Sequence, residues 1–210
     1  EDPYTEILQE KGIAHEKQYL DRLIKAGHTV ADIAAMAGGS IPELVENTLA
    51  TMTEGSDIIY QACLQVEDRI GHIDFLEKVD TPSRPGRHAY EVMDTKLSKK
   101  AAPKHIVQLC FYSELLEHFQ GTLPEYVHLK LGDGRQESFY LQDYYAYYKI
   151  VRSRYERFCL KSLHIIQSRA ATADTVHGSI CAQTGGHRMT TCPWWLISGT
   201  SRSKNWKMPV

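Results

Sequence analysis

The stretch that decides the fold begins at Ile58-Ile59-Tyr60-Gln61-Ala62-Cys63-Leu64-Gln65-Val66. It passes through Gly71-His72-Ile73-Asp74 and closes on Tyr90-Glu91-Val92-Met93-Asp94-Thr95-Lys96. Its β-branched and aromatic residues, punctuated by Gly and Pro, predict three strands over 57–66, 70–79 and 88–96. Gly71 is placed near the first connection, and Pro82-Ser83-Arg84-Pro85-Gly86-Arg87 forms the second. An antiparallel meander is the simplest arrangement. Alternate residues of a strand share a face, so Asp94 and Lys96 project together while Glu91 and Thr95 point the other way.

If the run carrying Asp74 lies beside the run carrying Asp94, two carboxylates converge with a lysine next to them. Such a set suits Mg²⁺ or Mn²⁺, which take oxygen ligands, usually one or two of them carboxylates, and keep positions for water and phosphate. A cation there can polarise a phosphodiester and activate water, while the lysine steers that water or meets the developing charge. Glu91, on the opposite face, is left out of the set and read as a surface or second-layer ion-pair residue.

Outward from this stretch, Ile7, Leu8, Ile13, Tyr19, Leu20, Leu23 and Ile24 recur at threes and fours, predicting a helix over 4–26 that stops at Gly27. Gly12, one turn before His15-Glu16, would let another backbone approach, and either His15 or Glu16 is a candidate to face the site. A short strand over 28–33 and a loop over 38–40 follow. Pro42 then opens a helix that Gly55 stops. After Lys96 a basic loop (Lys99, Lys100, Lys104) leads into a helix over 103–119, ended by Gly121. On it Gln108 and Tyr112, four apart, stack on one face. A strand over 126–131, a turn at 132–134 and a partner at 138–141 form a hairpin. The last predicted helix, over 143–158, interleaves Arg152, Arg154 and Arg157 with tyrosines. That pattern suits a nucleic-acid strand, with guanidinium on phosphate and rings on bases, and equally a helix whose tyrosines pack on the sheet.

The 210 residues suit one domain with appendages. We place that domain over 1–160, followed over 161–210 by an irregular or poorly ordered tail, of which 168–205 is rich in Ser, Thr and Gly. With no apolar run long enough to span a bilayer and no signal-like start, a soluble cytoplasmic protein with no membrane partner is the default expectation. The chain opens at Glu1 rather than Met, which leaves open that it is a piece of something longer. Its five cysteines include no C-x-x-C pair, so reduced, mostly buried thiols are expected rather than a disulfide framework or a zinc site. Residues 1–80 carry a net charge of −10 and residues 81–210 of +8, within a total of −2. The basic second half is compatible with a phosphate backbone as partner, though an ordinary solvated surface would look the same.

The order of these features is a helical His, an Asp ending a strand, Asp-x-Lys on the next strand, then Gln-x-x-x-Tyr on the following helix. It resembles the RecB-like branch of the PD-(D/E)XK nuclease superfamily, closest to bacterial RecB-like putative nucleases that read Tyr-Glu-Val-x-Asp-Thr-Lys-Leu at this point. The resemblance covers roughly 7–158 and lies in four separately spaced motifs. It implies an α/β (α+β) fold with a restriction-endonuclease-like core, a central mixed sheet flanked by helices. It also implies metal ligation by Asp74, Asp94, His15 (or Glu16 in its place) and the carbonyl of Thr95. Lys96 would position or deprotonate the attacking water, with Asp74, Asp94 and Lys96 as the catalytic set. Gln108 and Tyr112 would support the lysine and contact nucleic acid, joined by Lys99, Lys100, Arg152 and Arg154.

The expected activity is Mg²⁺- or Mn²⁺-dependent hydrolysis of DNA phosphodiesters in repair or recombination. The expected partners are DNA, single-stranded or with free ends, and a helicase, either separate or in a longer chain. Relatives commonly hold an iron–sulfur cluster on four cysteines. Here no cysteine precedes Cys63 and no C-x-x-C exists, so a cluster is not expected; Cys181, Cys192 and Trp194-Trp195 resemble remnants of its tail. Two other readings stand beside this one. The first is a catalytically silent nucleic-acid-binding or scaffold module on the same fold. The second is a bare cross-strand Asp94–Lys96 pair with no site.

Overall fold

The computed structural model describes residues 3–36 and 38–176. Helix α1 (Pro3–Lys25) leads to edge strand β1 (Val30–Asp32), the one-turn helix α2 (Ile33–Met36) and helix α3 (Ile41–Glu54). The predicted meander follows as β2 (Ile58–Val66), β3 (Arg69–Val79) and β4 (Ala89–Lys96). Helix α4 (Pro103–Gln120) crosses to the hairpin β5 (Tyr126–Leu131) and β6 (Gln136–Tyr140), and α5 (Gln142–Val176) completes the described chain. The strands form one mixed sheet in the order β1-β2-β3-β4-β5-β6, flanked by helices. β1 runs parallel to β2 and β4 to β5; the other neighbours are antiparallel. A parallel step needs a crossover, and α4 supplies the one between β4 and β5.

Local chemistry sets the helix ends. In α3 Pro42 occupies the first turn, the Ser40 N–H donates to Glu43 Oε2 (3.4 Å), and Gly55 ends the helix at φ 80°. α4 ends at Gly121 with φ 76°, a backbone region where a side chain is penalised and glycine is not.

One face of the sheet packs on α3 and α4 through Leu64, Leu76, Val92, Leu109 and Leu115. The other is smaller: Tyr19 of α1 meets Ile58, Tyr60, Phe75 and Met93. Tyr19 stands edge-on to Phe75 with centroids 5.2 Å apart, and its hydroxyl donates to Glu77 Oε1 (3.1 Å). The predicted apolar stripe of α1 is only partly used. Ile7, Leu8, Ile13 and Ile24 are exposed, and among the described residues of this helix only Glu16 and Tyr19 are buried. Nor does any backbone approach Gly12, where an added Cβ would meet nothing within 4 Å.

Strand parity reverses inside the meander. Ile58 and Tyr60 face the α1 side, yet Ile59, Ala62 and Leu64 share the α4 side. On β3, Phe75 faces α1 while both Ile73 and Leu76 face α4. The ladder correspondingly steps from Tyr60↔Phe75 to Ala62↔Ile73, and the residue skipped on β2, Gln61, has φ 56°. Beyond this point the 62–73 part of the hairpin leaves β4, whose pairing with β3 ends at Phe75↔Met93, and β4 continues against β5 alone. The sheet therefore forks just past Phe75 and Met93.

Gly71 is not in the first connection, which is the two-residue turn Glu67-Asp68. It lies within β3 beneath α4, where a Cβ would come 2.7 Å from Leu115 Cδ1 and 3.0 Å from Tyr112 Cδ1. The glycine is what lets α4 close on the hairpin. At the far end of α4 the buried Gln120 side chain accepts the Tyr90 N–H (2.9 Å) and donates to the Tyr90 carbonyl (3.2 Å), which ties β4 to the helix.

Helix α5 continues across residue 160, so 161–176 is helical rather than irregular. That segment is without Gly or Pro, so nothing in it stops a helix. The rest of the expected tail, with Cys181, Cys192 and Trp194-Trp195, lies outside the described residues. Cys63 and Cys110 are buried thiols, and burial pushes both up to about 12.

Candidate functional site

The fork gathers the acids. Phe75 and Met93 are the last paired residues of β3 and β4, and Asp74 and Asp94 are the next residue on each strand, opposite one another by register. Both are buried. Asp74 Oδ2 accepts two hydrogen bonds from Thr95, one from its N–H and one from its hydroxyl, each 2.9 Å long. These fix the carboxylate across the gap between the strands. Lys96 Nζ lies 2.5 Å from Asp94 Oδ2, and neither atom has a hydrogen-bond partner beyond this ion pair.

Helix α1 closes the site from the other side. Tyr19 anchors it, and His15 and Glu16 lie one turn earlier, on the same face by their three- and four-residue spacing. Glu16 is the acid that α1 buries, and its Oε1 accepts a hydrogen bond from the Gln61 side-chain amide. His15 Nε2 is buried without a hydrogen-bond partner.

The electrostatics bind these groups together. Burial raises the pKa of Asp94, Lys96 opposes this, and the charges of Asp74 and Glu16 raise it further. For Lys96, burial works against the ammonium, but Asp94, Asp74 and Glu16 outweigh it and hold its pKa above the ordinary value. Lys96 is thus a charged group in a pocket of carboxylates. Its influence reaches α4, where burial first, then Lys96 and Lys104, lowers His105 to about 4. His105 stays neutral, and its Nδ1 accepts the Ala102 N–H (3.2 Å) at the start of α4.

Other candidates fall differently. Gln108 and Tyr112 are stacked as predicted, with Gln108 Nε2 donating to the Tyr112 hydroxyl (2.8 Å). Both are buried, and Tyr112 lies under Gly71, so this pair supports the α4–β3 contact rather than bonding Lys96. Lys99 and Lys100 are exposed directly after the site lysine, and the Lys99 carbonyl accepts from Arg135 (2.8 Å). Arg154 is exposed. Arg152 is not turned outward: it pairs with Glu114, which also takes the Tyr148 hydroxyl and Arg69 (3.1 Å), and with Glu156 (3.1 Å). An Arg–Tyr alternation does not reveal an acid on a neighbouring helix, and Glu114 decides this case. Glu91 keeps clear of the fork, accepting the Tyr126 N–H (3.0 Å) and contacting His128 Nε2 (2.9 Å).

Two contributors, Gln61 and His105, lie outside the sequence-based candidates. A lone Gln between Tyr60 and Ala62 in an apolar run is the only signal for the first. Nothing in the sequence marks the second.

Among the described residues no group of three or more His, Cys, Asp or Glu side chains is placed to hold a metal ion. The chemistry of the donors nonetheless fits a hard divalent cation that keeps several waters. Asp94 Oδ2 is buried and meets only Lys96 Nζ, His15 Nε2 is buried without a hydrogen-bond partner, and Lys96 supplies the positive charge the carboxylates require. No family model matches the chain, and no curated protein matches it.

Proposed function

We propose that this chain is a metal-dependent nuclease that hydrolyses DNA phosphodiester bonds, on a restriction-endonuclease-like core of the RecB-like PD-(D/E)XK type. The observation that carries this reading is the fork, where Asp74, Asp94 and Lys96 meet and Glu16 of α1 lies near enough for its charge to act on Asp94 and Lys96. Asp74, Asp94 and either Glu16 or His15 would hold Mg²⁺ or Mn²⁺. When bound, the cation would offset phosphoryl charge and lower the pKa of a water.

The protein's own groups do the rest. Thr95 holds Asp74 to one orientation, so no reorganisation is needed when a phosphate arrives. Lys96, charged and sheltered from solvent, offers its ammonium to the oxygens on which charge develops. From there it would orient the attacking water and stabilise developing charge. Lys99, Lys100 and Lys104 form an exposed basic run leading away from the site, suited to the backbone of a DNA strand. DNA with single-stranded character or free ends is the proposed substrate, processed during repair or recombination, with a helicase as the proposed partner.

End-labelled single-stranded DNA and end-blocked duplex, each incubated with Mn²⁺ or EDTA, test the reading. Cleavage of the single strand in Mn²⁺ alone is expected, with Lys96→Ala lowering the rate by about 100-fold. Metal-dependent binding of both DNAs with no cleavage of either would favour the silent binding module instead.

A further inference from the structure

Gln61 is an anomaly on three counts. It sits inside a strand with φ 56°, a conformation that costs a non-glycine residue free energy and survives only where its surroundings impose it. It marks the place where β2 reverses parity, opposite Asp74. Its amide also reaches out of the sheet to donate to Glu16, the acid whose charge bears on both Asp94 and Lys96. A switch of parity alone would be served at least as well by glycine, which adopts positive φ without penalty. What glycine lacks is the amide. We propose that Gln61 is a positioning residue: the strained turn of β2 is kept because it aims this amide at α1, fixing the Glu16 carboxylate over the fork as a metal ligand in preference to His15.

This role rests on the metal reading given above, and it divides the two jobs of one residue. The backbone turn builds the fork by letting Ile59 and Ala62 both reach the α4-side core. The side chain holds one orientation of an acid carried on a largely exposed helix. Hydrogen-bond partners that orient a ligand typically carry about 10- to 100-fold of metal affinity when removed. Gln61→Gly keeps the turn and removes the amide, whereas Gln61→Leu removes the amide and keeps the strain.

Mn²⁺ binding to the full chain without DNA, followed by the electron paramagnetic resonance signal of free Mn²⁺, separates these roles when read beside Tm. The expected result is that Gln61→Gly holds Tm within about 2 °C of wild type, relief of strain offsetting the freedom gained by the unfolded chain, while Mn²⁺ affinity falls about 10-fold. Gln61→Leu should lose affinity similarly and lower Tm as well. In a Glu16→Gln background neither change should weaken Mn²⁺ binding further, because both act through that carboxylate. Wild-type affinity, within about twofold, in Gln61→Gly would overturn the proposal. A wild type that takes up no Mn²⁺ would overturn the metal reading itself, and this proposal with it.

Discussion

Asp94 and Lys96 show how a buried pair is held in balance: burial penalises both charges, and each is sustained by the other, with Asp74 and Glu16 adding negative potential. This much is legible in the sequence, because strand parity alone puts residues 94 and 96 on one face and the meander brings Asp74 alongside. His105 is not legible, since its neutrality depends on burial and on Lys96 and Lys104, which only the fold brings to bear on it. Its effect on stability has a definite sign. An imidazole held near 4 in the fold but free to protonate at its ordinary 6.5 when unfolded contributes stability that is fully present above 6.5 and lost as pH falls toward 4. His105→Gln should therefore show a smaller drop in Tm between about pH 7 and pH 5 than wild type, measured by calorimetry. An identical drop in both proteins would show that His105 protonates equally readily in the folded state.

Helices and strands are the most readable level, because their ends are written in residues with one physical use. Gly55 and Gly121 stop helices where positive φ is needed, and Pro42 and Pro103 open them. What the pattern hides is a reversal inside β2, since a glutamine at positive φ has no local signature, and the partial use of the α1 stripe, which depends on how short a stretch of sheet that helix covers. Gly71 reads in the sequence as a residue near the first connection, although its service is to α4. Gly71→Ala would press a methyl group against Leu115 and the Tyr112 ring, both buried, at a cost of about 1–3 kcal/mol. For a chain of this size that is a Tm lower by roughly 2–10 °C in a thermal melt. Gly71→Ala melting with wild type would mean that α4 can withdraw from the hairpin without loss.

Over the whole molecule the fork lies at the seam of the charge asymmetry. The acidic first 80 residues supply α1 and the strand bearing Asp74, and the basic remainder supplies Asp94, Lys96 and the exposed Lys99, Lys100 and Lys104. The mixed sheet and its flanking helices follow from element order, whereas the irregular structure expected from 161 gives way to helix as far as Val176, because a change in composition does not stop a helix that meets neither Gly nor Pro. The proposed activity stands on the fork as a phosphodiester-cleaving centre built around Asp94. Its most direct test is the rate of Mn²⁺-dependent cleavage of end-labelled single-stranded DNA by wild type and by Asp94→Asn, an isosteric change, with folding of both checked by circular dichroism. The prediction is cleavage by wild type that EDTA abolishes, and a loss of about 100-fold or more in a folded Asp94→Asn protein. Cleavage by Asp94→Asn at the wild-type rate would contradict it.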